Sequence, residues 1–150
     1  MIKAVIYTVN LLLVALVVGT MFGVWFGINP KQMPYPAYLE HHQKLIRSLN
    51  VKLPLLAAVG IVITVISAVL SRDDRYRMLM MIASAIFLII AGIITRFLNQ
   101  PINAKIMSWL LDNPPADWMR LRDDWWKWHI VRMIAGLIGL SLLIIALLIH

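Results

Sequence analysis

The sequence predicts an all-α protein, a four-helix transmembrane bundle with amphipathic helical segments covering one mouth. Three observations lead there. The chain of 150 residues is 61% hydrophobic, and its mean hydropathy of +0.82 lies well outside the soluble range. Four apolar runs, at about Ala4–Ile28, Leu53–Leu70, Met78–Leu98 and Met133–Ile149, approach or exceed the ~20 residues that a helix needs to cross a ~30 Å hydrocarbon core. Strand alternation is absent, and backbone in lipid must satisfy its own hydrogen bonds, which helices do. The length suits a single integral membrane domain, residues 1–150.

The first span is too long for a signal-peptide core and has no small-x-small cleavage site, so it reads as a retained helix. Gly19, Gly23 and Gly27 recur every four residues along it, a smooth ridge that permits close helix approach. Packing within the bundle is the expected use, with self-association into a homo-oligomer as the alternative. Asn10 and Thr20 are polar groups at depth and call for hydrogen-bond partners within the core.

Between the second and third spans, "SRDDRYR" (71–77) is a tight turn. The other two connections, 29–52 and 99–132, are long, amphipathic and aromatic, and an even number of crossings puts both on the side opposite the termini. The formal charge of +7 favours an anionic membrane surface over nucleic acid, because the cations sit beside apolar spans and no basic soluble domain is present. Lys3 before the first span and the arginines of the short turn favour a cytoplasmic amino terminus. The absence of cysteine excludes disulfides, thiolate metal sites and a cysteine nucleophile.

In "PYPAYLEHHQKLIRSLN" (34–50), His42, Leu45, Ile46 and Leu49 share one helical face. The third span closes in "TRFLNQPINAKIMSW", with Thr95, Asn99 and Asn103 spaced by four and Arg96 three before Asn99. Pro101 lacks an N–H and its ring crowds the preceding turn, so the helix is expected to kink or stop near Asn99. The asparagine amides would then satisfy the freed carbonyls around Phe97 and Leu98, face a ligand, or do both. In "DNPPADW", Asn113 is the expected N-cap of the next helix, with Pro114 in its first turn.

The densest chemistry is "LRDDWWKWHIVR" (121–132). Trp118, Arg122, Trp125, His129 and Arg132 follow at spacings of four, three, four and three, a single helical stripe leading into the last span; Asp123, Trp126 and Lys127 fall on other faces. Interfacial anchoring by Trp with snorkelling Arg accounts for such residues without a site, as do ion pairs of Arg122 or Arg132 with Asp117 or Asp124. Ionisable residues at membrane depth nevertheless tend to face the bundle interior and mark function. A metal held by His41, His42 and His129 is the weaker alternative, since adjacent histidines on a helix point about 100° apart and no HxxxH spacing occurs.

"FLNQPINAKIMSW" followed by "PPADWMRLRDDWWKWHIVR" resembles the anthrone oxygenase-like family of small four-span membrane proteins, whose bacterial members are largely without assigned function. The pattern is carried by Asn99, Pro101, Asn103, Trp109, Trp118, Arg122, Trp125 or Trp126, His129 and Arg132, with Gln43 and Arg47 matching the helix before the second span. The resemblance implies a bacterial plasma-membrane protein and an oxidation of a planar phenolic or quinol-like substrate by O2 without a cofactor. Fungal members oxidise anthrones to anthraquinones. On that reading His129 is the base, Arg122 and Arg132 stabilise the developing oxyanion, and Asn99 and Asn103 donate from their amides. Trp118, Trp125, Trp109 and Gln43 would bind the substrate. The alternative is a non-catalytic quinone- or lipid-binding protein or an accessory subunit.

Overall fold

A computed structural model describes residues 1–148; Ile149, the expected end of the last span, and His150 lie outside the described residues. The elements are α1 (Ile2–Gly27), a 3-10 turn (Pro30–Gln32), α2 (Tyr35–Leu49), α3 (Lys52–Leu70), α4 (Arg75–Ile94), a π-helical turn (Thr95–Asn99), α5 (Gln100–Met107) and α6 (Trp118–Leu148). Among the described residues there is no strand. Four helices are long and apolar enough to cross a membrane, as an integral membrane protein requires.

The spans form a ring in which α1 neighbours α3 and α6, and α4 neighbours α3 and α6. The closest seam joins α4 to α6. A Cβ on Gly139 would lie 3.0 Å from Leu88 Cγ and 3.2 Å from the Ser84 carbonyl oxygen, and Ser84 Oγ donates to the Gly139 carbonyl at 2.7 Å. Val14, Val18, Met21, Met81, Leu88 and Leu143 fill the centre. The polar group at depth in α1 is half-partnered: Thr64 Oγ1 donates to Asn10 Oδ1 at 3.1 Å, while Asn10 Nδ2 is buried without a protein partner among the described residues. Thr20 instead bonds back to the Leu16 carbonyl at 2.7 Å within its own helix.

One end of the bundle is tied simply. Tyr7 and Ser71 share a hydrogen bond of 2.7 Å, Asp74 caps α4 by accepting from the Arg77 N–H at 3.1 Å, and Arg77 Nε donates to the Ala146 carbonyl at 3.2 Å. At the other end α2 and α5 pack together through Tyr35, Tyr38, Leu39, Ile46 and Ile106, with Trp109 and Trp118 against them. This cap is the folded cover expected of the two long connections.

Three expectations are corrected. The Gly19–Gly23–Gly27 ridge is exposed, and a Cβ at any of the three would meet nothing within 4 Å. It faces away from the bundle, because α1 turns its Val14–Val18–Met21 side inward. Of the two outcomes expected at Pro101, the stop is excluded, although the α-helical pattern is interrupted at Thr95–Asn99. The Gln100 N–H reaches back five residues to the Thr95 carbonyl, and this wider turn makes room for the proline ring while the helix continues to Met107. Asn113 is not the N-cap of α6. It lies in a turn against Leu110, and α6 begins at Trp118. Asn113 and Pro114 each precede a proline, and that position disfavours helical backbone.

Candidate functional site

The stripe of α6 faces inward: Arg122, Trp125 and His129 are all buried. Its 31-residue helix is about 46 Å long, well beyond the bilayer core, so the stripe runs from the cap into the bundle. The two halves then meet different surroundings.

The lower half opens on a cavity of about 230 Å³ lined by all four spans together with α2 and α5. The walls are aliphatic, including Val17, Leu53, Ala57 and Leu88, and Gly92 leaves room on the α4 side. The polar groups collect on one wall. His129 Nε2 lies 3.0 Å from the Met21 carbonyl, and Arg132 NH2 lies 2.9 Å from His129 Nδ1. A guanidinium only donates, so Nδ1 accepts and Nε2 carries the proton that it gives to Met21. Arg132 NH1 also donates to Thr95 Oγ1 at 3.2 Å. Its Nε is buried with no protein partner, and among the described residues no carboxylate lies within ion-pair distance of it.

Trp125 forms the flat part of the wall. Its ring stacks on His129 at 5.1 Å and 13° and meets His42 edge-on at 4.3 Å. Trp126, expected on another face, also stacks on His129 at 5.6 Å; its spacing of three brings it alongside. Asn99 does not cap the helix break. Its amide donates to the Trp125 carbonyl at 3.1 Å, while its Oδ1 is buried without a partner. Asn103 donates to Asn50 Oδ1 at 2.8 Å and faces His42 Nε2 at 3.4 Å. Burial, reinforced by His41 and Arg132 and opposed by the Asn103 bond, pushes His42 down to about 4.

The upper half of the stripe is elsewhere. Arg122 pairs with Asp123 at 2.9 Å and lies 5.0 Å above the Trp118 ring; Trp118 packs on Tyr35 and Tyr38. Asp117 and Asp124, the carboxylates expected for Arg122 or Arg132, instead pair with Arg120. Gln43 donates to the carbonyls of Ile106 and Trp109 at 3.0 and 3.2 Å, closing the end of α5. Thus His129, Arg132, Trp125 and Asn103 share the cavity, whereas Arg122, Trp118, Trp109 and Gln43 build the cap above it. His41, His42 and His129 do not assemble as ligands: among the described residues no three His, Asp or Glu side chains gather closely enough to hold a metal, and Trp125 stands against both His42 and His129.

A family model described as anthrone oxygenase matches residues 43–142, from the helix of the cap into the last span. The chain belongs to the anthrone oxygenase family. No curated protein and no solved structure matches it. The matched region of this anthrone oxygenase-family chain contains every polar residue of the cavity wall except Thr20 and the Met21 carbonyl, which α1 supplies. Sequence reasoning also missed Asn50 and Gln100. The signal for the latter was its place four residues after Arg96 and eight after Gly92, on one helical face.

Proposed function

We propose that the cavity binds a planar, enolisable phenolic ketone drawn from the bilayer and oxidises it with O2. The observation that carries this reading is Arg132, a cation on the wall of an apolar cavity with a buried, unmatched Nε and, among the described residues, no carboxylate partner. An uncompensated charge at such a place is costly, and a substrate enolate would complete it. A cavity of about 230 Å³ is small beside ordinary ligand pockets of ~300–1,000 Å³, which suits a flat ring system and not a whole lipid.

The chemistry balances without a further reductant. Loss of a proton from the acidic methylene gives an enolate, whose carbon forms a bond to O2. Protonation yields a hydroperoxide, and elimination of water leaves a carbonyl, so CH2 and O2 become C=O and H2O. Arg132 holds the enolate oxygen. His129 takes the proton at Nδ1, which is released when the guanidinium turns to the substrate oxygen. Trp125 provides the face on which the ring lies.

The test is oxygen uptake by the purified protein with a model anthrone, scored by growth of the quinone absorbance. His129→Gln is expected to abolish turnover and keep binding; undiminished turnover in that variant rejects His129 as the base. One observation favours a second reading, a quinone-binding protein without chemistry: both His129 nitrogens are already engaged. Saturable binding of an anthrone with no oxygen uptake would support it.

A further inference from the structure

Arg132 is not the only cation at the cavity. Arg96, from the π-helical turn, also lines it, and the lining contains no Asp or Glu. Among the described residues Arg96 makes one side-chain hydrogen bond, NH1 to Gln100 Oε1 at 3.0 Å, and no ion pair. The rim around it is braced. Gln100 Nε2 donates to the Asn50 carbonyl at 3.3 Å, and Asn103 Nδ2 donates to Asn50 Oδ1 at 2.8 Å. These bonds tie the third span and α5 to the turn between α2 and α3, and all four residues line the cavity. An anthrone with no anionic substituent presents one enolate oxygen and occupies one guanidinium.

We propose that the natural ligand carries a second acidic group, a carboxylate or equivalent anion set apart from the enolisable ring, and that Arg96 receives it at the rim. This rests on the reading of the cavity as a site for a planar enolisable ketone. A guanidinium with most of its five N–H donors uncommitted matches a carboxylate through two parallel hydrogen bonds. The ligand then lies with its ring against Trp125 and its enolate oxygen at Arg132, its acidic substituent reaching the exposed side chain of Arg96. Two contacts on separate helices fix its orientation as one does not. The competing account is that Arg96 only anchors the helix by reaching phospholipid headgroups.

The experiment compares two unreactive probes, anthraquinone and anthraquinone-2-carboxylate, by tryptophan quenching of the protein in neutral-lipid nanodiscs. Wild type is expected to bind the carboxylate about tenfold or more tightly than the neutral probe. Arg96→Gln should reduce that preference to about twofold, with the affinity for anthraquinone unchanged, and Arg96→Lys should keep an intermediate preference. Equal affinities in wild type, or a preference that survives Arg96→Gln, overturns the assignment and leaves the oxygenase reading standing. Loss of copurifying anionic phospholipid in Arg96→Gln with the probe preference intact overturns it in favour of a headgroup anchor. Failure of both probes to bind wild type removes the cavity reading and this inference with it.

Discussion

Arg122 and Arg132 lie ten residues apart on one face of one helix, and their surroundings differ. Arg122 has a carboxylate at 2.9 Å and an indole face at 5.0 Å, so its charge is answered within the cap. Among the described residues Arg132 has only a threonine hydroxyl and an imidazole nitrogen as partners, and its Nε is unmatched. The contrast teaches that a buried cation is not in itself a functional signal. A compensated one holds structure together, whereas one left short of an anion beside an apolar cavity is costly unless something else answers it, and the proposed function assigns that part to a ligand.

The largest expected effect breaks this contrast directly. Arg132→Gln should lower kcat/KM for oxygen uptake about 10²–10³-fold, the usual cost of losing one oxyanion donor, with the melting temperature nearly unchanged. Arg122→Gln should do the reverse, lowering stability by about 1–2 kcal/mol through the lost cation–π and ion-pair contacts and leaving turnover per folded molecule intact. Equal kinetic losses in both variants would mean that the whole stripe is one site.

His42 joins the two regions, touching Trp125 on one side and Tyr38 on the other. It is 2% exposed and held near 4 chiefly by burial, so between about pH 6.5 and 4 the unfolded chain binds a proton that the folded chain refuses. Stability is therefore complete above pH 6.5 and falls as the pH drops through that window, by up to ~3 kcal/mol. A thermal melt series across pH should show the slope, and His42→Gln should flatten it. An unchanged slope in the variant would place the acid sensitivity elsewhere.

A smaller effect separates volume from charge. A Cβ at Gly92 would meet nothing within 4 Å and Gly92 lines the cavity, so Gly92→Leu should fill part of the cavity and gain helix propensity of up to ~1 kcal/mol. Affinity for anthraquinone should fall about tenfold or more while the protein stays as stable or becomes slightly more so. Unaltered affinity would show that the ligand binds outside the cavity.

The four spans were legible because hydropathy over some twenty residues reports directly on the bilayer. The helices of the first two also end close to where they were expected, at Ile2–Gly27 and Lys52–Leu70; the other two do not, because a helix does not stop where hydrocarbon stops: the third runs on to Met107, and α6 begins at Trp118, five residues after the expected cap Asn113. The face of the stripe was also legible from its spacing. Its division was not. From Trp118 to Arg132 is about 21 Å along the axis, more than one small ligand spans, so the upper residues had to serve something other than the cavity. The glycine ridge shows a similar limit. Spacing reveals that a partner can approach, not that one does, and the close approaches in this bundle are at Gly136 and Gly139.

The mildest expected effect sharpens the cap side of the comparison. Gln43 was expected to bind substrate, yet its amide is spent on the Ile106 and Trp109 carbonyls at the end of α5. The Ile106 carbonyl also accepts from the Trp109 N–H at 3.2 Å, so the Gln43 amide reinforces a helix end that has few backbone donors left, and Gln43→Met keeps the side-chain length while removing the donor. Stability should drop by about 1 kcal/mol, read as a shift of roughly 2–8 °C in the melting temperature. Affinity for anthraquinone and turnover per folded molecule should hold. A fall in affinity with no change in melting temperature would move Gln43 into the binding site, extend the cavity beneath the cap, and erase the boundary that the two arginines define.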